Sequence, residues 1–410
     1  MTPTSGRLDD RGTTTRGRST ARLGHLPAID GLRAVAVGAV FLFHAGVISG
    51  GFIGVDVFFV VSGFLITALA ITEIERTGRL ALGAFWARRA RRLLPALFAL
   101  CAAVVAMSAV EGGGAARRVG GDVFGALAYV ANWLQIGEGH DYFAVYEAPP
   151  LLEHTWSLAI EEQFYLVWPL VLAGIAWRFG RRSARVAIGI VAAVVATGSF
   201  ATTVWLAGRD VPLNRLYFGT DTRAVALAAG ALAASVLARG ERTGERRVGR
   251  VESAGAIVGL ALLAVAAVVV DGSERWLYGP GFLAIAAAAL IVVTAAAGDG
   301  PVARLLAGAP LVAIGKVSYG IYLWHWPVIV VLDHDRTGLS GPALGTLWVA
   351  ATAALTVASW VLIEQRSVLP TLAHPWRTAG YVAAAFAIGF GASATVSAER
   401  AGRGAVAVPD

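Results

Sequence analysis

The chain is 410 residues long, 57% hydrophobic and only 15% charged, with a mean hydropathy of +0.66. Soluble globular domains carry roughly 45–50% apolar and about 25% charged residues, so a soluble enzyme, a disulfide-stapled secreted domain and a disordered chain are excluded. A net charge of +7 would suit nucleic acid, but 33 of the 34 basic residues are arginine and they lie between apolar blocks. Basic residues in such places set topology and meet lipid headgroups, so lipids and not nucleic acid are the expected partners. Cys101 is the single cysteine and sits inside an apolar block, so neither an intramolecular disulfide nor a cysteine metal site can form. The excess of Arg over Lys, with abundant Ala and Gly, suggests a GC-rich bacterial genome.

Residues 1–26 read as a disordered basic cytoplasmic tail, with Arg7, Arg11, Arg16, Arg18 and Arg22 among Thr, Ser and Gly. Twelve apolar stretches follow, near 28–48, 52–72, 93–110, 121–136, 155–177, 186–207, 221–238, 252–270, 278–297, 312–332, 343–363 and 378–396. Most approach the ~20 residues that a helix needs to cross a bilayer. The fourth is short and carries Asn132 and Gln135. If it does not cross and the N-terminus is inside, 23 basic residues fall inside and 8 outside; if it does cross, the division is 17 to 14. The chain is therefore expected to be an all-α polytopic bundle of about eleven spans in a bacterial cytoplasmic membrane, N-terminus in and C-terminus out. Residues 121–136 would be re-entrant or interfacial. Residues 366–396 would form a linker and an additional span, and 397–410 a short extracytoplasmic tail. No internal repeat, P-loop or HExxH motif is present, which gives an inverted-repeat transporter, a Walker-type pump and a zincin no support.

Ionisable residues inside spans are costly and mark function by default. In the first span, Arg33 and His44 are eleven residues apart. At about 100° per residue they share a face, roughly 16 Å apart along the axis. They are either a reactive pair or a snorkelling Arg with a histidine satisfied in the bundle. Asp56 enters the second span just after a Gly50-Gly51 turn. It either orients the His44 imidazole or stabilises a helix N-terminus. The inner loop 73–92 ends in Arg88, Arg89, Arg91 and Arg92. These either signal topology or clamp the phosphates of a cytoplasmic donor. His154, Ser157, Glu161 and Tyr165 follow i, i+3 and i+4 steps and line one helical face, with Glu162 beside Glu161. Arg223 stands at the outer start of the seventh span, against the general charge bias, and His325 is a second intramembrane histidine among aromatics.

These words resemble the membrane acyltransferase-3 family. The matching runs are Ile29 to Arg33 with His44, Gly51 to Ile66, Arg88 to Pro95, His154 to Tyr165, Tyr217 to Arg223 and Ser318 to Pro327, in order, across about 27–365. The resemblance implies one membrane domain that transfers acyl groups, usually acetyl, from cytoplasmic acyl-CoA to hydroxyls of extracytoplasmic saccharides or glycolipids. It implies catalytic roles for Arg33 and His44, and a donor-binding role for Arg89 and Arg91, the one pair in that run with R-x-R spacing. Glu161 and Glu162 match its glutamate pair. His154, Ser157, Tyr165, Arg223 and His325 are expected against substrate. No permanently bound cofactor and no metal are implied; acyl-CoA is a co-substrate. Many relatives continue into a secreted SGNH hydrolase-like domain; the resemblance leaves three readings for this chain, that it acts alone, that a separate periplasmic partner supplies the acceptor chemistry, or that the sequence is truncated.

In this reading the donor's thioester reaches His44, which acts as general base on the acceptor hydroxyl or is itself acylated first. Glu161, Glu162 or Asp56 would hold its tautomer. Two alternatives remain: O-acylation of a small natural product such as a macrolide, and transport of a polar lipid or glycan.

Overall fold

The structure, a computed structural model, describes residues 25–111, 115–144, 149–237 and 246–364. The expected basic tail before residue 25, the additional span 378–396 and the C-terminal tail lie outside the described residues. Those residues are almost all helical and contain no strand. Seven helices are long and apolar enough to cross a membrane.

The chain runs through α1 (Pro27–His44), α2 (Gly54–Thr77), α3 (Leu82–Glu111), α4 (Ala115–Leu127) and α5 (Ala131–Gly137). Then come α6 (Thr155–Ala207), α7 (Leu213–Phe218), α8 (Thr220–Leu237), α9 (Arg250–Val269) and α10 (Pro280–Ala296). The last set is α11 (Pro301–Leu306), α12 (Ala309–Lys316), α13 (Ser318–Val331), α14 (His334–Thr337) and α15 (Gly341–Ser359), which ends in a π-turn at Trp360–Glu364.

Three boundaries differ from the sequence expectation. The arginine run 88–92 belongs to the first turns of α3 and not to a loop. Phe85 is buried there, and the Trp86 indole donates to the Tyr165 carbonyl at 3.0 Å, which fastens this end of α3 to α6. The fifth and sixth stretches form one 53-residue helix, α6, bent at Gly180. Gly180 has φ 66° and ψ 179°, a conformation that costs a glycine little, so the four arginines around it need almost no loop. The tenth stretch is broken at Val317 into α12 and α13.

The fourth stretch is broken too. Residues 128–130 separate α4 from α5, with Tyr129 at φ 56°. The broken backbone is satisfied by side chains: the Gln163 amide donates to the Tyr129 carbonyl at 2.7 Å and to Asn132 Oδ1 at 3.0 Å. Asn132 in turn donates to the Phe218 carbonyl at 2.9 Å and to Thr220 Oγ1 at 3.0 Å. Non-helical backbone at membrane depth is tolerated where protein surrounds it in this way.

Small residues let the central helices touch. A Cβ placed on Gly63 of α2 would lie 1.8 Å from the Leu227 carbonyl oxygen of α8, and one on Gly230 of α8 would lie 2.0 Å from that of Val60. The same device joins α1 to α11 and α12: Gly31 abuts the Leu306 carbonyl and Gly315 that of Asp30. Such close backbone approach drives helix association in lipid, where apolar burial gives no preference for one helix over another.

Gly63→Ala is expected to lower the thermal midpoint of the purified protein by several degrees, in line with overpacking costs of about 1–3 kcal/mol. Gly38→Ala is expected to leave it unchanged, because nothing lies within 4 Å of a Cβ there. Equal midpoints for the two variants would mean that the α2–α8 contact is not what holds these helices.

Candidate active site

A cavity of about 800 Å³, including its open mouth, lies between α1, α2, α3, α6 and α13. Three arginines, Arg33, Arg89 and Arg92, line it together with Glu161 and Glu162. Arg89 and Arg92 are three residues apart and so share a face of α3. Arg91 is exposed and is not part of the wall. The expected R-x-R pair is thus divided: two residues along a helix turn the side chain by about 200°.

Glu161 accepts from the Ser62 hydroxyl of α2 and from the Tyr165 hydroxyl one turn further along α6, both in short contacts. The Arg89 guanidinium lies 3.4 Å above the centre of the Tyr165 ring. Tyr165 therefore belongs to the arginine end of the cavity. The opposite end is closed by Ser157 and Tyr322, whose hydroxyls are 2.6 Å apart, with Tyr322 also donating to the His154 carbonyl at 2.7 Å.

Beyond that closure lie three histidine rings. Their centres are 4.9 Å apart for His44 and His325, and 5.6 Å for His154 and His325. The hydrogen bonds fix the tautomers of the neutral rings. His325 Nδ1 lies 2.7 Å from the Tyr322 carbonyl, which can only accept, so this nitrogen carries the proton and Nε2 is bare. His44 Nδ1 lies 2.7 Å from that bare Nε2 and must donate to it. His44 Nε2 is then the basic nitrogen. It accepts from the Tyr142 hydroxyl at 2.7 Å. Tyr142 is itself wedged into an aromatic cluster, stacked on Tyr217 at 5.1 Å and edge-on to Trp156 at 5.7 Å.

The imidazole is therefore oriented by a second histidine and not by a carboxylate, which corrects the sequence expectation. Asp56 is engaged elsewhere: both its oxygens lie 2.9 Å from Arg223 Nη2, and each side chain is only 3% exposed. Arg223 also lies 3.9 Å above the Phe282 ring. The reason is helical phase. Asp56, Val60 and Gly63 are spaced i, i+4, i+7, so Asp56 falls on the face of α2 that packs against α8. Proximity to His44 in sequence was a poor guide, and Arg223 is a structural partner of Asp56 where a substrate contact was expected. Glu161 and Glu162 stay at the arginine end. His154, also expected against substrate, has Nε2 donating to the Leu323 carbonyl at 3.1 Å. Its Nδ1 is buried without a partner.

The family model described as an acyltransferase domain matches residues 26–364. The chain is 38% identical over 315 residues to the O-acetyltransferase OatA of Staphylococcus aureus strain NCTC 8325, covering 75% of this chain and 51% of that protein. It is 34% identical over 314 residues to a putative O-acetyltransferase of S. aureus strain COL, with the same coverage. The chain belongs to the acyltransferase-3 family. It spans about half the length of these relatives. No solved structure matches it.

The acyltransferase domain thus joins Arg33, Arg89, Glu161, Glu162, Ser157 and Tyr165 around one cavity, and leaves out His154, the fourth residue of the expected α6 face. Sequence reasoning missed Tyr142, Tyr322 and Ser62, and did not single out Arg92 from its run. Tyr142 lies 98 residues from His44, and no periodic pattern connects a loop residue to a helix that far away.

The Asp56–Arg223 pair yields a direct test. Asp56→Ala leaves Arg223 buried and unpaired, which typically costs about 3–5 kcal/mol. Adding Arg223→Met is expected to return much of that stability, measured by thermal unfolding in detergent. Additive losses in the double variant would separate Asp56 from Arg223.

Proposed function

We propose that this chain is a multi-pass membrane O-acetyltransferase that carries an acetyl group from cytoplasmic acetyl-CoA to a hydroxyl of an extracytoplasmic saccharide or glycolipid. The observation that carries the reading is the order of groups along one path: arginines at one end of the cavity, the Ser157–Tyr322 closure, then the basic Nε2 of His44. The names of the relatives support the chemistry.

Arg89 and Arg33 meet the donor's phosphates, for which a planar guanidinium is well suited. The pantetheine arm lies along the cavity, with its thioester toward Tyr322. The acceptor hydroxyl takes the position that Tyr142 holds against His44 Nε2. His44 removes the hydroxyl proton as the acceptor oxygen attacks the thioester carbon. The carbon–sulfur bond breaks, the thiolate leaves, and the imidazolium returns the proton to sulfur. His325 accepts from Nδ1 throughout and stabilises the transient positive charge.

In this reading the chain has eleven spans, ten in the acyltransferase domain and one beyond it, with the first entering from the cytoplasm, the fourth apolar stretch folding back without crossing, and the C-terminus outside. The basis is the asymmetry of basic residues together with the broken, side-chain-capped 128–130 segment. The acceptor comes from the side of Tyr142 and the donor from the side of Arg89.

His44→Ala is expected to lower acetyl transfer by about 10²–10⁴-fold while CoA binding persists. His325→Ala lowers it as well, and His325→Gln, whose amide oxygen can still accept from Nδ1, retains more. Transfer within a few-fold of wild type in His44→Ala would remove this histidine from the chemistry. Topology is tested separately with Glu138→Cys in a Cys101→Ala background, since residue 138 is exposed. A membrane-impermeant thiol reagent should label it in intact cells. Labelling only after permeabilisation would mean that the fourth stretch crosses, and would exchange the sides from which donor and acceptor arrive.

A further inference from the structure

The wall of the main cavity does not end at Arg92. Arg92 also lines a smaller adjoining pocket, of about 280 Å³ including its mouth, between α3, the α12–α13 junction and α15. The other principal walls are Lys316, Tyr319, Thr356 and Trp360. Lys316 is the only lysine in the chain. It is exposed at the end of α12, and Trp360 is 41% exposed beside it.

Two observations point to an anion. First, two cations converge on one pocket. Among the described residues the neighbouring arginines have carboxylates, Arg33 with Asp30 at 3.7 Å and Arg88 with Glu73 at 3.8 Å, whereas no such ion pair forms at Arg92 or Lys316. Second, the Thr356 hydroxyl, on a side chain only 2% exposed, lines the pocket with no hydrogen-bond partner. A buried hydroxyl without a partner costs about 1–3 kcal/mol, and an oxyanion in the pocket would remove that cost. The first turn of α13, through Val317, Tyr319 and Gly320, forms a further wall and adds the positive end of a helix.

We propose that Lys316, Arg92 and Thr356 form a second phosphate subsite, separate from Arg33 and Arg89, that takes the phosphomonoester at the nucleotide end of the acyl donor. The inference rests on the proposed acetyl-CoA reading. That donor carries its negative charge in two places: a diphosphate bridge and a phosphomonoester on the ribose. The direction of binding follows from the chemistry. The thioester must face Tyr322 and His44, so the nucleotide lies at the opposite end, where Arg92 and Tyr319 line both the cavity and this pocket. The half-exposed Trp360 ring stands where the base would lie. A headgroup phosphate of an anionic lipid has the same chemistry and is the competing occupant.

The test uses the full-length protein in nanodiscs of zwitterionic lipid, with affinities measured for CoA and for 3′-dephospho-CoA. Wild type is expected to prefer CoA by about 10- to 100-fold, the range for losing one charged hydrogen-bonded contact of about 1.5–3 kcal/mol. Lys316→Ala should reduce that preference while leaving affinity for 3′-dephospho-CoA largely intact, Arg92→Ala should reduce the preference and weaken both ligands because Arg92 also lines the donor cavity, and Lys316→Arg should keep most of it. Lys316 is exposed, so its removal does not threaten folding. Equal wild-type affinities for the two ligands, or an unchanged preference in both alanine variants, would overturn the subsite. If Lys316→Ala instead abolishes thermal stabilisation by phosphatidylglycerol and leaves the CoA preference unchanged, the pocket belongs to lipid and the donor assignment fails. A wild-type protein that binds neither ligand would overturn the acetyl-CoA reading itself, a different result from loss of the subsite alone.

Discussion

The contact between α2 and α8 decides where the charged side chains of this bundle can go. Gly63 lies against the Leu227 carbonyl and Gly230 against that of Val60, so the two backbones meet without intervening side chains. Once α2 is set in that phase, Asp56 must point at α8 and Ser62 must point into the cavity. Arg223 on α8 then neutralises Asp56, and Glu161 on α6 receives the Ser62 hydroxyl. A bulkier residue at either glycine would separate the helices and rotate both polar groups away from their partners. The packing of small residues and the placement of intramembrane charge are one design.

That design separates two kinds of charge. Asp56 and Arg223 pair at 3% exposure through one guanidinium nitrogen, Nη2, and neither lines that cavity. Breaking such a pair is expensive because one ion is left without water or partner. Arg89 and Arg92 behave differently. They face a cavity, and Arg89 is balanced mainly by the Tyr165 ring and the nearby glutamates. Cations that line a cavity remain open to a ligand, whereas a closed pair does not. Chain-local arguments set Arg89, in a run of four arginines, apart from the solitary Arg223, but could not show that Arg223 is paired with Asp56 167 residues away.

What was legible in the sequence follows from periodicity. Arg33 and His44 fall on one face of α1, and Ser157, Glu161 and Tyr165 on one face of α6, because helical geometry alone dictates it; His154, expected on the same face, stands just before the helix and turns to the Leu323 carbonyl. The short length of the fourth apolar stretch, with Asn132 and Gln135, set it apart as re-entrant or interfacial, but the break at 128–130 was not foreseen. The failures have one cause. The expected support of His44 by a carboxylate relied on nearness in sequence, and α2's rotation sent Asp56 elsewhere. The choice of Arg91 over Arg92 relied on motif spacing, while a three-residue step keeps a side chain on the same helical face and a two-residue step does not. Tyr142 and His325 reach His44 over separations of 98 and 281 residues, for which a single sequence holds no signal.

The use of a histidine to orient His44 also has a physical logic suited to a membrane. A carboxylate beside the imidazole would place a full negative charge in a medium where an isolated ion is very costly. His325 instead offers a neutral lone pair, held in place because its own Nδ1 proton is committed to the Tyr322 carbonyl. In the resting state the chain from Tyr322 through His325 and His44 to Tyr142 contains no charge and leaves no donor among its members unpaired. Charge appears only when His44 takes a proton, and the polarised chain is already aligned to share it. In the proposed reaction the arrangement thus defers the cost of buried charge to the step at which a transient imidazolium is useful. It also gives His44 a basic Nε2 without a permanent counter-ion, which in the proposed reaction a thioester would otherwise have to pass.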